Sequence, residues 1–187
     1  MTGEAASAAS LPPLTYATFD TPVGALAVVT DPRARGDQPA GPSGAVVASG
    51  FGSLEDLLIE VLHAYPERGA QPADLPEVAQ AIGDYFSGDV AALDRVSVAQ
   101  SGPEFRREVW QAMRAIPAGQ VYSYAELAAA AGRPRASRAA GTACATNPVA
   151  PFVPCHRVVR AGGALGAYGY GVEVKAALLK HEGYLSE

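Results

Sequence analysis

The chain has 187 residues, a net charge of −5 and a 49% hydrophobic composition, so it is long enough to bury a core and too apolar to be disordered throughout. Two cysteines, Cys144 and Cys155, do not make a disulfide framework and point to a reducing cytoplasm, and no apolar run reaches the roughly 20 residues that span a bilayer. The charge is split, with residues 1–102 at net −9 and residues 103–187 at net +4, which suits an acidic lobe joined to one that tolerates an anion such as nucleic acid.

Residues 1–13 are small and polar with a proline pair, lack the basic and apolar regions of a secretory signal, and are expected to be disordered. The runs 14–20 and 24–31 are β-rich and separated by Thr-Pro-Val-Gly, which predicts a hairpin. A long Pro/Gly loop spans 32–44, and 45–51 reads as a third strand. Ser53 precedes two acidic residues and an apolar pattern at helical spacing, so 53–65 is a helix. Residues 75–89 form a second helix stopped by Ser87-Gly88, and 93–100 reads as a strand. A boundary near Ser101-Gly102 divides an N-terminal α/β domain, 14–101, from a C-terminal domain, 102–187. Pro103 opens a helix that puts Phe105, Val109, Ala112 and Ile116 on one face.

Ser123 and Glu126 have the spacing of a capping box for the next short helix, which Gly132-Arg133-Pro134 breaks. Residues 135–147 then read as a second helix containing Arg135 and Arg138, with the small residues Ser137 and Gly141 around them. Two short helices across a tight turn fit a helix-turn-helix, although taken alone they fit better an αα-hairpin whose alanines pack on the core.

Pro154-Cys155-His156-Arg157 sets a thiol, an imidazole and a guanidinium inside an apolar stretch. A thiol of ordinary pKa is mostly protonated at neutral pH, so a nucleophilic cysteine needs a base and a group that orients the base. His156 adjoins Cys155, and Glu182 sits at a helix end where the dipole disfavours a carboxylate, which suggests a tertiary task. Cys155, His156 and Glu182 make a candidate triad. Taken singly, the same residues fit an inert thiol, a solvated histidine and an incidental glutamate. The histidines at 63, 156 and 181 lack metal-ligand spacing, so no metal site is expected.

Taken together, residues 147–183 resemble the active-site region of the O6-alkylguanine-DNA alkyltransferases, or methylated-DNA–protein-cysteine methyltransferases, and the stretches 119–128 and 137–148 extend the resemblance over about 103–187. The N-terminal half is similar only through 20–26 and 75–89. The resemblance implies an α+β fold: a ribonuclease-H-like N-terminal domain, read here as a small antiparallel sheet with helices, and a helical C-terminal domain with a helix-turn-helix. It implies repair of double-stranded DNA by direct reversal in the cytoplasm. An alkyl group passes once and irreversibly from O6 of guanine, or O4 of thymine, to the protein. The protein is expected to act as a monomer, with cooperative binding on DNA left open, and without cofactor, metal or membrane. Two alternatives stand beside this, a non-catalytic sensor of alkylated bases and a regulator switched by alkylation.

On the resemblance, Cys155 accepts the alkyl group, His156 is the base through a water, and Glu182 orients it. Tyr124 donates to the guanine ring and crowds a phosphate, Arg138 takes the place of the flipped base, and Ser137, Gly141 and Arg135 meet DNA. Asn147 ties the helix region to the active-site turn. The carbonyls of Cys155 and Val158 and the amide of Gly169 contact guanine, Tyr168 and Tyr170 flank it, and Arg157 is a structural tether. A tyrosine at 170, where relatives have a small residue or tryptophan, narrows the space for bulky adducts. Cys144 is expected to be inert.

Overall fold

In the computed structural model, which describes residues 11–186, the first two β-rich runs form β1 (Leu14–Thr21) and β2 (Gly24–Asp31). They pair antiparallel from Thr15↔Thr30 to Thr21↔Gly24, the predicted hairpin. Gly24 closes the turn at φ +121°, where a side chain would be strained. β3 (Ala45–Phe51) pairs antiparallel with β2. A fourth strand, β4 (Ala70–Pro72), runs parallel to β1 and completes the order β3-β2-β1-β4. The sheet is therefore mixed rather than antiparallel throughout. Three residues ending in proline carry too little periodicity to be read as a strand. Residues 1–10 of the segment expected to be disordered lie outside the described residues.

Both faces of the sheet are covered, so β3 is buried along its whole length. On one face Val29, Val47 and Ala48 pack with Val61 of α1 (Leu54–Ala64), a helix capped by Ser53 Oγ accepting from the Asp56 amide. On the other, Leu26, Val28 and Val46 join a core with Val78 and Ile82 of α2 (Pro76–Phe86) and with Val109, Trp110 and Met113 of α3 (Glu104–Arg114). One continuous apolar cluster thus links the N-terminal sheet to the C-terminal helices.

Residues 93–100 are not the predicted strand. A 3-10 turn occupies Ala92–Arg95, and Val98 makes an isolated parallel bridge to Val46. That bridge is a single point of pairing, in which the Val46 amide donates to the Ser97 carbonyl and the Val46 carbonyl accepts from the Ala99 amide, both at 2.9 Å, while Arg114 donates to the neighbouring carbonyls of Val96 (2.6 Å) and Asp94 (3.3 Å). The long 32–44 loop is pinned to the same place: Asp37 accepts from the Val98 amide at 3.0 Å and from Arg114 Nε at 2.8 Å.

In the C-terminal half, α4 (Tyr124–Ala130) carries the Ser123/Glu126 capping box, and α5 (Ser137–Ala145) follows a turn with Gly132 at φ +79°. Arg135, expected inside α5, lies in that turn: the Ala136 amide donates to the Arg133 carbonyl across Pro134-Arg135, and the helix starts only at Ser137. The small residues of α5 let α3 approach, and Trp110 Nε1 donates to the Ala143 carbonyl at 2.9 Å. β5 (Tyr122–Ser123) pairs parallel with β6 (Val158–Val159) and brings the start of α4 beside the Cys155 turn. α6 (Val172–His181) ends with Glu182 as its C-cap. Among the described residues no helix is long and apolar enough to cross a membrane.

Candidate active site

After Pro154 the chain makes a single 3-10 turn, Cys155–Arg157, before entering β6. Successive side chains of such a turn point about 120° apart. The thiol is left half-buried at a cavity, while His156 and Arg157 are driven inside, 0% and 2% exposed.

Two ionisable groups in the interior need partners, and Glu182 supplies them. Its Oε1 lies 2.9 Å from His156 Nε2 and accepts from Arg157 Nη2 at 2.9 Å and from Tyr85 Oη at 2.8 Å. Its Oε2 accepts from Arg157 Nε at 2.9 Å, and Arg157 Nη1 donates to the Ile116 carbonyl at 2.6 Å. Burial alone would raise the Glu182 pKa, but the hydrogen bonds and charges of His156 and Arg157 bring it down to about 2. The carboxylate that the helix dipole disfavours is thus held as an anion by its tertiary partners. For His156, burial, aided by repulsion from Arg157 and Lys175, outweighs the pull of Glu182 and holds the imidazole below its usual pKa. Neutral His156 facing a carboxylate carries its proton on Nε2. Nδ1 then keeps its lone pair, and it is buried with no hydrogen-bond partner among the described residues.

Asn147 Nδ2 donates to Cys155 Sγ at 3.2 Å and to the Val153 carbonyl at 2.7 Å. Its Oδ1 accepts from the Val149 amide at 3.1 Å and from Gln100 Nε2 at 2.9 Å, so both ends of the amide are fixed. Burial pushes the Cys155 thiol above its usual pKa, opposed by the Asn147 donor and the Lys175 ammonium. The resting group is a thiol that needs a base. Tyr168 Oη is buried close to this sulfur, and although it makes no well-formed hydrogen bond it acts as a weak donor that lowers the thiol pKa.

Cys155 opens on a cavity of about 330 Å³ whose wall also holds Tyr124, Gly141, Asn147, Tyr168, Gly169 and Tyr170. The fold therefore gathers residues expected in the pocket from four separate stretches of chain. Val158 is not in this wall; it is buried, and its carbonyl accepts from Lys175 Nζ at 2.6 Å. Ser137 is half-buried at the start of α5, and Arg135 and Arg138 are exposed and have no ion pair among the described residues. Cys144 shares the cavity, but burial and the neighbouring Cys155 push its thiol up to about 12, which leaves it unreactive. A larger cleft, about 450 Å³ between the 39–44 loop and α2, has no cysteine or histidine in its wall. Among the described residues no cluster of His, Cys, Asp or Glu is placed to hold a metal ion.

Three contributors escaped the sequence. Lys175 is 1% exposed and near both thiols; its signal was a charge in the apolar stripe of α6 with Leu178 and Leu179. Tyr85 and Gln100 reach the site from the N-terminal half, and nothing local marks either one.

The sequence profile of the 6-O-methylguanine DNA methyltransferase DNA-binding domain matches residues 104–184. A methylated-DNA–protein-cysteine methyltransferase of Mycobacterium leprae is 38% identical over 154 residues, 78% of this chain and 88% of that protein. One of Salmonella typhimurium is 53% identical over 104 residues, 56% of this chain, and the match spans 61% of the relative's length. The crystal structure of Mycobacterium tuberculosis OGT in complex with DNA superposes with a TM-score of 0.67 at 31% identity, covering 90% of this chain and 92% of that one. The chain belongs to the methylated-DNA–protein-cysteine methyltransferase family.

Proposed function

From that membership we propose that this chain repairs DNA by direct reversal, moving an alkyl group from O6 of guanine to Cys155 Sγ. One observation carries the reading. The thiol faces a cavity while the imidazole next to it is kept neutral by burial and oriented by a buried carboxylate, with Nδ1 free.

His156 Nδ1, through a water, takes the thiol proton. The thiolate attacks the alkyl carbon in line with the C–O6 bond, an S–C bond forms, and the C–O6 electrons pass into the guanine ring. Tyr124 donates its phenolic proton to a ring nitrogen, so guanine leaves neutral, and the proton held by His156 restores Tyr124. Burial holds the Tyr124 hydroxyl above its usual pKa, which keeps it protonated until the ring demands a proton. Asn147 and Lys175 stabilise the developing thiolate. The product is a thioether, which is no leaving group, so each chain acts once.

The base must leave the helical stack to reach the cavity. We read α4 and α5 as a helix-turn-helix in the basic 102–187 part, with Arg138 filling the gap left by the flipped base, Arg135 and the start of α5 at Ser137 meeting phosphates, and Gly141 and Tyr124 at the cavity mouth. The 14–101 part serves as the scaffold, and two free thiols fit a reducing cytoplasm.

The test is intact-mass analysis after mixing with duplex DNA containing O6-methylguanine. One methyl per chain, absent in Cys155→Ser, is the expected result. Unchanged mass, or several turnovers per chain, overturns the reading.

A further inference from the structure

The loop that ends in α6 does not stand alone over the cavity. The Tyr170 ring crosses to β3, meets the Phe51 ring edge-on at 5.8 Å, and donates from Oη toward the Ser49 carbonyl at 3.4 Å. Between those two residues is Gly50. A Cβ built there would lie 2.1 Å from Tyr170 Oη, 2.6 Å from Cζ and 2.8 Å from Cε1. Gly50 has no left-handed φ that would call for glycine, so its backbone conformation suits any residue. Glycine inside a strand loosens it and marks the close approach of another group, which here is the aromatic ring.

What the ring seats is the wall of the candidate active site. Tyr168 meets Tyr170 edge-on at 5.5 Å, and both line the cavity that holds Cys155. The Gly171 amide donates to the Tyr168 carbonyl at 3.1 Å, so residues 168–171 form one closed turn, and α6, with Lys175 and Glu182, follows directly. The opposite wall is tied to the same strand. The Ser49 amide donates to the Pro148 carbonyl at 2.8 Å, and Ser49 Oγ donates to the Ala150 carbonyl at 2.8 Å, on either side of the segment that follows Asn147. On the far side of Tyr170 lies a second cavity of about 280 Å³, bounded by Leu57, Glu60 and Val61 of α1. Tyr170 lines both cavities, as does Asn147.

We infer that Gly50 is a positioning residue: its missing side chain lets β3 seat Tyr170, and Tyr170 holds the 168–171 turn against the Cys155 cavity. The N-terminal sheet thereby aligns both walls of a pocket built from the C-terminal half. The effect on alkyl transfer rests on the function proposed above, whereas the seat itself is a property of the fold.

A double-mutant cycle separates the two. Gly50→Ala should lower the single-turnover rate constant at saturating O6-methylguanine duplex by roughly tenfold to a hundredfold, with DNA affinity retained, because misplacing a wall by about an ångström is that costly. In a Tyr170→Gly background, already slowed, the same change should cost less than about twofold, since no ring remains to be displaced. Amide exchange gives a readout independent of chemistry: Gly50→Ala should expose the Gly171 amide, which donates to the Tyr168 carbonyl, while those of β1 and β2 stay protected. Equal losses in both backgrounds, or unchanged exchange at Gly171, overturn the proposal. If Gly50→Ala fails to fold, recovery in Gly50→Ala/Tyr170→Gly supports the seat, and failure of both variants overturns it. A wild-type chain that accepts no alkyl group defeats the proposed function alone, and the exchange measurement still decides the seat.

Discussion

His156 Nε2 lies 2.9 Å from Glu182 Oε1, and both side chains are fully buried. Because the same carboxylate also accepts from Arg157 and Tyr85, it stays ionised and fixes which ring nitrogen bears the proton. Neutralising it breaks a three-way network. Glu182→Gln should destabilise the protein by about 3–5 kcal/mol, the cost of stranding the buried Arg157 charge. Chemical denaturation with wild type as reference measures it, and a loss within error would mean that Arg157 finds another partner.

The same network gives stability a defined pH dependence. His156 is held below its ordinary 6.5, and Glu182 is held at about 2 against an ordinary 4.5. As pH falls from 6.5, the unfolded chain takes up a proton at histidine that the folded chain refuses, and below 4.5 the same holds for Glu182 until the pH nears 2. Both terms have one sign, so stability is present in full above 6.5 and declines as pH drops through this window. Urea midpoints from about pH 8 to about pH 4 should fall steadily. In Glu182→Gln the part below 4.5 should shrink.

Lys175 offers a direct handle on the thiol. Its ammonium lowers the Cys155 pKa against the larger effect of burial. Lys175→Met keeps the length of the side chain and removes the charge, so the thiol pKa should rise further. The rate of iodoacetamide addition at Cys155, followed by mass against pH, should shift its midpoint to higher pH. No shift would place the stabilisation of the thiolate on Asn147 alone.

Arg138 is exposed on α5, away from the cavity wall. Arg138→Ala should slow transfer from duplex DNA much more than reaction with the free modified base, which has no stack to leave. It should also make duplex binding less dependent on salt, as one phosphate-facing charge is lost. Equal rate losses on both substrates would remove Arg138 from base extrusion.

Elements with strong local signals could be read directly. The 14–31 hairpin, the Ser53 cap and the Ser123/Glu126 box each depend on residues a few positions apart. The 93–100 segment differs from its strand pattern because only Val98 bridges to β3, while a 3-10 turn takes up Ala92–Arg95 and Arg114, a long-range partner, binds the carbonyls of Asp94 and Val96. β4 went unseen because its pairing rests on β1, some 56 residues earlier in register at Leu14↔Ala70, and not on its own three residues.

The sequence by itself determined the chemistry on offer: a thiol beside an imidazole after a proline, a carboxylate at a helix end, and exposed arginines next to small residues. Those are properties of residue types and short spacings, and they survive without coordinates. Tertiary structure alone decided which groups are charged and where they point. Glu182 is an anion because Tyr85, His156 and Arg157 converge on it from separate elements, and Cys155 is a protonated thiol because burial outweighs Asn147 and Lys175. The free energy of a charge depends on the dielectric and the partners within a few ångströms. Chain folding sets both, and the spacing of residues along the sequence does not record them.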